Sequence, residues 1–206
     1  MRIEVFTGGP FETNSYLLIS ENKQALLIDP TFNSSTFFFN QVEKQGLKPL
    51  AILLTHSHFD HIAEVAEVKR ELNIPVYIHA LDSPNLVVPG TDGLPFGEEI
   101  QGVKPDHFLE EGQVIHLGDF HLIVLHTPGH SAGSVCFYFP DHAMLISGDT
   151  LFKGTYGNVS FPTSDAKLMK DSLKKLSKLP IETTIWPGHG DPSTIGSEDW
   201  LLQQNY

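Results

Sequence analysis

Thr55-His56-Ser57-His58-Phe59-Asp60-His61 is the stretch around which the rest of the chain is organised. It follows an apolar run of strand length at residues 50–54 and precedes residues 62–72, where apolar residues recur at helical spacing. The stretch is therefore expected on a loop between a strand and a helix. Because residues two apart in an extended segment project to the same side, His56 and His58 can converge on one point.

The residue types in this stretch indicate a metal site. Asp60 and His61 lie where the backbone turns into the predicted helix, so their side chains are aimed elsewhere and are free to bind a second ion. Three imidazoles and one carboxylate suit zinc, and less specifically iron or manganese. The alternative is a solvated, histidine-rich loop, but so dense an arrangement arises rarely by chance in a chain with 11 histidines.

Size and charge limit the class of partner. A chain of 206 residues with 40% hydrophobic content can bury one substantial core, so a single domain over residues 1–206 is predicted. The net charge of −12 repels nucleic acid and anionic lipid and favours a small-molecule partner, although two divalent cations would make the site itself attractive to an anion.

The single cysteine and the absence of long apolar segments bear on location. Cys136 excludes an internal disulfide and is most simply a buried strand residue. The sequence has no secretory segment and no stretch of membrane-spanning length. These features predict a cytoplasmic protein with no membrane association.

Periodicity and turn residues predict an α/β chain. Strands are expected at 2–7, 14–20, 24–28, 50–54, 76–79, 114–117, 120–126, 134–139, 144–147 and 183–186, and helices at 34–45, 62–72, 80–85, 165–179 and 195–206. Ser34 is the expected N-cap of the first helix and Gly46 its expected stop.

Three short loops that contain glycine each follow a predicted strand. They span residues 127–133, 148–152 and 187–190, and they carry His130, Asp149 and His189. Glycine lets the backbone approach a bound ion closely while each loop presents one ligand side chain. Open α/β architectures place their sites in this way.

Residues 86–104 form a longer segment, rich in proline and glycine, with little periodicity. Segments of this kind often cover a site. One hypothesis makes Leu94 and Phe96 part of an apolar rim over the metals. The other makes the segment a mobile surface loop.

The order of these motifs resembles the metallo-β-lactamase superfamily, and within it the glyoxalase II (hydroxyacylglutathione hydrolase) branch in its short, single-domain form. The matching motifs are Asp29 in LIDP, the H-x-H-x-D-H run, His130 in TPGHSAGS, Asp149 in GDTLF and His189 in PGHG. The resemblance implies an αββα sandwich, in which two mixed β-sheets are flanked by helices and the metals lie at one edge.

The resemblance also assigns the ligands. It places His56, His58 and His130 on a first ion and Asp60, His61 and His189 on a second. Asp149 would bridge the two ions. Asp29 would orient one of the ligand imidazoles by bonding to its other ring nitrogen. The remaining histidines are expected to be structural: His79, His107, His116, His121, His126 and His142.

Two adjacent divalent ions, most simply zinc, imply hydrolysis. They lower the pKa of a bridging water, and the resulting hydroxide attacks without a serine or cysteine nucleophile. Asp60 and Asp149 are then the catalytic carboxylates, Asp60 by orienting the hydroxide. The resemblance therefore implies a glyoxalase II-like, metal-dependent hydrolase acting on thioesters of the S-lactoylglutathione type.

Departures from the family pattern leave the substrate open. Full-length glyoxalase II continues past PGHG into a helical domain that contacts glutathione, and Asn158 stands here where the family usually has a cation. Lys153 is a candidate substitute, and Tyr156, Asn158 and Phe96 are the other candidate substrate contacts. The alternatives are a mononuclear-iron persulfide dioxygenase, a lactonase or β-lactamase-like hydrolase, and a metal-stabilised binding module. The oligomeric state is not predicted.

Overall fold

The computed structural model describes residues 1–97 and 99–203 and contains two six-stranded mixed sheets. The first sheet consists of β1 (Arg2–Gly8), β2 (Thr13–Ile19), β3 (Gln24–Ile28), β4 (Lys48–Leu53), β5 (Val76–His79) and β6 (His107–Leu109). The second sheet begins with β7 (Val114–Leu117), β8 (Phe120–His126), β9 (Val135–Phe139) and β10 (Met144–Gly148). The next two strands, β11 (Leu151–Phe152) and β12 (Thr155–Tyr156), form a separate hairpin. The second sheet is completed by β13 (Thr184–Pro187) and β14 (Ser193–Thr194).

Helices connect the strands and cover the outer faces. They are α1 (Ser34–Gln45), α2 (Phe59–Ile62), α3 (Val65–Leu72), α4 (Ser83–Val87), α5 (Ala166–Leu176) and α6 (Asp199–Leu202), with short 3₁₀ turns at Pro140–His142 and Ile195–Ser197. None of the helices in the two described ranges is both long and apolar enough to cross a bilayer.

Both sheets mix parallel and antiparallel neighbours. In the first sheet the order is β1-β2-β3-β4-β5-β6, where β1, β2 and β3 pair antiparallel and the rest pair parallel. In the second the order is β14-β13-β10-β9-β8-β7, where only β10 and β13 pair parallel.

The core lies in three layers. Side chains alternate along β2, so Tyr16 and Leu18 pack between the two sheets while Leu17 and Ile19 pack outward under the helices of the first sheet. The corresponding outer layer of the second sheet includes Leu173 of α5. The order of layers is helix, sheet, sheet, helix, which confirms the predicted αββα sandwich.

The helix predicted at residues 62–72 is confirmed over Val65–Leu72, but its start is divided from the rest. One helical turn, α2, already begins within the histidine motif, and α3 starts afresh at Val65. Glu64 leaves the helical conformation between them, and its carboxylate accepts hydrogen bonds of 2.6 Å from the backbone N–H groups of Asn33 and Ser35. A contact distant in sequence overrides the local periodicity.

The predicted N-cap of α1, Ser34, is wrong. Ser34 is the first residue of the helix and not its N-cap, and its hydroxyl donates to the carbonyl of Thr31. The N-cap is Asn33, in a left-handed conformation with φ 65° and no side-chain cap. The Glu64 carboxylate therefore accepts from the free N–H groups that a capping side chain normally satisfies.

The predicted closing helix at 195–206 is also wrong over the described residues. A 3₁₀ turn at Ile195–Ser197 precedes the short α6, and residues 204–206 lie outside the described part of the chain. Between the two turns the buried carboxylate of Glu198 accepts from Gly154 N at 2.8 Å and from Trp200 Nε1 at 2.6 Å. The break places Glu198 where it anchors the β11–β12 hairpin.

The first part of the segment 86–104 is anchored to the histidine motif. The side-chain nitrogen of Asn85 donates to the carbonyl of Ser57 at 2.5 Å and to Asp92 Oδ2 at 3.0 Å. Its side-chain oxygen accepts from Gly90 N at 2.9 Å. These bonds hold the start of the segment against the loop that carries His56 and His58.

Candidate metal centre

The predicted ligands all follow the carboxyl ends of strands or lie one turn beyond them. His56 and His58 follow β4, and Asp60 and His61 lie in α2. On the second sheet His130, Asp149 and His189 follow β8, β10 and β13. The strand ends converge at one edge of the sandwich, as the placement of polar residues after strands predicts.

Two groups of side chains have the separations that a metal ion requires. The ligand atoms of His56, His58 and His130 all lie within 4.8 Å of one another. The same limit holds for Asp60, His61 and His189. Among the described residues, none of the other six histidines joins a group of this kind.

Asp149 lies between the two groups. Its Oδ1 is 3.3 Å from His61 Nε2. Its Oδ2 is 3.3 Å from His130 Nε2 and 3.3 Å from His189 Nε2. One carboxylate therefore reaches both groups, which is the geometry required of a shared ligand.

Hydrogen bonds at the far ring nitrogens orient the imidazoles. His61 Nδ1 lies 2.9 Å from Asp29 Oδ2, His130 Nδ1 2.9 Å from the carbonyl of Asn158, and His189 Nδ1 2.9 Å from the carbonyl of Phe11. Carbonyl oxygens only accept hydrogen bonds, so Nδ1 of His130 and of His189 carries a ring proton, and Nε2 of each ring faces the centre.

The inward-facing atoms fit a metal ion. Nε2 of His56, His58, His61 and His130 and Oδ1 of Asp149 are buried and make no hydrogen bond within the described residues. A buried polar atom left without a partner costs about 1–3 kcal/mol. Divalent cations would satisfy these atoms together, and nitrogen and carboxylate donors suit zinc, iron and manganese alike.

A third set of close ligand atoms, from Asp29, His56 and His61, does not call for another ion. Both carboxylate oxygens of Asp29 are occupied, because Oδ1 accepts from Thr55 N at 2.8 Å and Oδ2 accepts from Thr55 Oγ1 at 2.6 Å and from His61. Asp29 is therefore placed to hold His61 in one orientation, the role that the family resemblance implies for it.

Burial and charge set the protonation of the ligands. Burial, together with the nearby His130, lowers the pKa of His58 to about 3, so its imidazole is neutral. Burial alone would raise the pKa of Asp60, but the charge of His61 and hydrogen bonds from His189 and Thr13 lower it to about 2. A neutral imidazole and an ionised carboxylate are the forms that bind metal.

The pKa of His189 is raised, in contrast to that of His58. Burial would lower its pKa, but hydrogen bonding to Asp149 and Asp60 outweighs burial and raises the pKa to about 9. The imidazolium neutralises carboxylates that would otherwise repel each other. A divalent cation can supply the same positive charge, so its binding is expected to release this proton.

The sequence profile described as the metallo-beta-lactamase superfamily matches residues 8–189. The chain belongs to the metallo-beta-lactamase superfamily. It is a metallo-hydrolase of that superfamily, and its His and Asp groups are suited to divalent metal ions.

Relatives in this superfamily cover nearly the whole chain. The probable metallo-hydrolase YqgX of Bacillus subtilis (strain 168) is 39% identical, over 92% of this chain and 90% of its own length. The hydroxyacylglutathione hydrolase GloC of Haemophilus influenzae is 30% identical, over 96% of this chain and 95% of its own length.

Two solved structures are similar to this chain in both fold and sequence. The BLEG-1 B3 metallo-beta-lactamase superposes with a TM-score of 0.90 at 38% identity, covering 95% of each chain. TTHA1623 in a di-iron-bound form superposes with a TM-score of 0.82 at 40% identity, covering 95% of this chain and 96% of its own. The predicted family is confirmed.

Residues of β2 that the sequence did not single out support the metallo-beta-lactamase centre. Thr13 Oγ1 donates to Asp60 Oδ2 at 2.7 Å. Asn14 Nδ2 donates to the carbonyls of Pro187 and Gly190 at 3.1 and 2.9 Å. The start of β2 therefore holds both Asp60 and the loop that carries His189. The only local signal is a run of polar residues at the start of a fully buried strand.

The predicted substrate contacts have other partners. Lys153 Nζ is exposed and lies 3.3 Å from Asp191 Oδ2, and Tyr156 packs against Trp200 with ring centroids 6.0 Å apart. Asn158 accepts from Ser160 N through its side chain, while its carbonyl accepts from His130. The substrate-binding role of these residues stays a prediction.

Phe96 is the candidate contact that packs against the histidine motif. Its ring stacks on that of Phe59, within the histidine motif, with centroids 4.4 Å apart. This agrees with an apolar rim built partly from the segment 86–104. The sequence missed Phe161, whose ring lies edge-on to those of His58 and His130 at 5.4 and 5.6 Å.

Asp82 joins the two loops that form the first ligand group. Its Oδ2 accepts from Ser57 N at 2.9 Å and from Ser131 Oγ at 2.8 Å. Its Oδ1 accepts from Gly133 N at 2.6 Å. Ser57 lies between the two histidines of the motif and Ser131 follows His130, so one buried carboxylate sets the spacing between them.

Asp82→Asn is expected to weaken metal binding at the first group by about 10–100-fold, as the loss of outer-shell support typically does. Both oxygens of the Asp82 carboxylate accept hydrogen bonds, but an asparagine amide has only one acceptor oxygen. The amide nitrogen would therefore face an N–H or O–H donor, and at least one of these hydrogen bonds would be lost. Competition with a chromophoric chelator measures the affinity. Asp119→Asn, at an exposed carboxylate that accepts from Ser20 and Asn22, is the matched control. Unchanged metal affinity with reduced thermal stability would show that Asp82 supports the fold alone.

Proposed function

We propose that this protein is a dinuclear metal-dependent hydrolase that cleaves thioesters of the hydroxyacylglutathione type. The observation that carries the proposal is the position of Asp149, within 3.3 Å of ring nitrogens from both ligand groups. The similarity to GloC supports the substrate class. Two divalent ions, most simply zinc, are proposed as the cofactors, with His56, His58 and His130 at one, Asp60, His61 and His189 at the other, and Asp149 shared.

Bound divalent ions would supply hydroxide at neutral pH and would polarise the carbonyl of the substrate. The chain provides the groups that hold and orient the reactants. Thr13 fixes the Asp60 carboxylate, and Asp60 stays ionised because its pKa is about 2. Asp60 can therefore accept a hydrogen bond from the attacking water and direct it at the carbonyl carbon.

The chain offers no thiol nucleophile for a covalent route. Cys136 is fully buried, and burial raises the pKa of its thiol to about 11 despite the nearby Thr127 hydroxyl. At neutral pH it is protonated and inert. Direct attack of water on the thioester, with release of the thiol, agrees with this arrangement.

Two other functions have a specific observation in their favour. The likeness to the BLEG-1 B3 metallo-beta-lactamase favours β-lactam or lactone hydrolysis at the same centre. The family resemblance assigns the positions of His56, His130 and Asp149 to the iron of a mononuclear-iron persulfide dioxygenase. The GDTLF motif at residues 148–152 resembles the hydrolases more than the dioxygenases, and this favours the dinuclear hydrolase.

Metal analysis and a substrate panel test the proposal together. The protein loaded with zinc, iron or manganese is expected to hold two ions per chain and to turn over S-lactoylglutathione. One iron per chain with persulfide-dependent oxygen uptake would replace the proposal with the dioxygenase. Turnover of lactones or β-lactams without any thioester turnover would keep the centre and change the substrate class.

A further inference from the structure

Phenylalanine rings border both ligand groups. Phe161 lies against His58 and His130 of the first group, and Phe152 lies edge-on to His189 of the second at 5.9 Å. A substrate that reaches the centre therefore meets aromatic surface on two sides.

Further rings form a continuous aromatic row beside the segments that carry the ligands. Phe11 lies edge-on to Phe59 at 5.4 Å, Phe59 stacks on Phe96 at 4.4 Å, and Phe96 contacts Phe32 at 5.6 Å. Phe59 lies between two predicted ligands in the chain, and the carbonyl of Phe11 holds His189. Phe11 is 55% exposed, so one end of the row is open to solvent.

A small cavity opens beside this aromatic row. It measures about 180 Å³ and is lined on its apolar side by Phe59, Phe96, Leu94, Pro89 and Ile100. The volume is smaller than that of a complete ligand pocket, which is usually about 300–1,000 Å³. It suits one substituent of a substrate whose reacting bond lies at the metal centre.

The charges around the cavity favour a neutral substituent. Its polar lining includes the carboxylates of Asp92 and Glu99. Burial raises the pKa of Asp92, while bonds from Leu94 N and Asn85 occupy its oxygens. A carboxylate-bearing group such as glutathione would be repelled here, whereas an apolar group would bury ring surface at no electrostatic cost.

We propose that the aromatic row and its cavity bind an apolar acyl group, alkyl or aryl, and that the preferred substrates are thioesters of such acids. This inference rests on the proposed function, because the cavity receives an acyl group only if the adjacent centre cleaves the thioester. It replaces the hydroxyacyl group of that function with an apolar acyl group as the preferred acid, and it makes the acid, not the thiol carrier, the part of the substrate that is recognised.

The test is a series of acyl thioesters of one neutral thiol, N-acetylcysteamine, with acetyl, lactoyl, hexanoyl and phenylacetyl groups. Each methylene group buried in the transition state can raise kcat/KM by up to about fourfold. We therefore expect kcat/KM to rise at least about 10-fold from the acetyl to the hexanoyl thioester. Phe96→Ala, and Phe96→Leu as the milder change, should reduce the ratio of hexanoyl to acetyl turnover to below about threefold. Phe108→Ala is the control, because Phe108 is an exposed ring in β6 and its loss should leave the ratio unchanged.

The possible results distinguish a failure of the apolar acyl site from a failure of the proposed thioester hydrolysis. Equal turnover of all acyl groups, or a preference for lactoyl, would overturn the apolar acyl site while leaving the thioesterase intact. If no thioester is cleaved, binding of the uncleavable thioethers S-ethyl- and S-hexyl-N-acetylcysteamine decides the matter by calorimetry. Tighter binding of the hexyl compound that Phe96→Ala abolishes would support the site, and equal affinities would refute it.

Discussion

Asp149→Asn is expected to lower kcat/KM by about 10³-fold, equivalent to about 4 kcal/mol of transition-state stabilisation. The substitution keeps the shape of the side chain but removes the charge that faces His61, His130 and His189. A neutral amide cannot serve two cations as a carboxylate does. The metal content measured by mass spectrometry should therefore fall from two ions per chain to one or none.

The control for this substitution is Asp141→Asn. Asp141 is exposed and pairs with His121 on the surface, so the same change of side chain should leave activity and metal content intact. Retention of two tightly bound ions and near-normal turnover by Asp149→Asn would show that the carboxylate does not link the ligand groups, and the dinuclear assignment would then fail.

Gly188→Ala is expected to destroy binding at the second ligand group. A Cβ atom at this position would lie 2.0 Å from Asp149 Oδ1 and 2.8 Å from His61 Cε1. The backbone cannot easily retreat, because Gly188 N donates to Gly148 O at 2.8 Å and Gly188 O accepts from Asn14 N at 2.7 Å. Overpacking of this kind typically costs about 1–3 kcal/mol, and here it displaces ligands directly.

Metal titration followed by thermal unfolding measures this effect. The variant should fold, bind at most one ion, and lose about 10²-fold or more in kcat/KM. Gly97→Ala is the matched control, since among the described residues no atom outside its chain neighbours lies within 4 Å of the added methyl group. Normal metal stoichiometry in Gly188→Ala would mean that the loop carrying His189 is far more adaptable than its hydrogen bonds indicate.

The sequence predicted most strands and the loops that carry the ligand side chains because these have local signals, whereas the sandwich and the grouping of the ligands came from the family resemblance. Buried strands such as β4 are apolar runs bounded by turn residues, and each ligand side chain follows such a run within a few residues. The short strands β6, β11, β12 and β14 were not predicted. They span only two or three residues, too few for any periodicity to register.

The supporting residues could not be predicted, because their partners are distant in the chain. Thr13 reaches Asp60 across 47 positions, and Asp82 reaches Ser131 across 49. No local pattern distinguishes Asp82 from an aspartate that merely precedes a short helix. The same reason explains Glu64, whose pairing with the start of α1 interrupts a helix that periodicity alone predicts as continuous.

Each ligand group draws two side chains from the first half of the chain and one from the second. His56 and His58 need His130, and the pair in α2 needs His189. Neither half alone could offer an ion more than an incomplete set of donors. Cation capture would therefore require both halves to be docked, and the bound ions would act as cross-links whose free energy of binding adds to the cohesion of the sandwich.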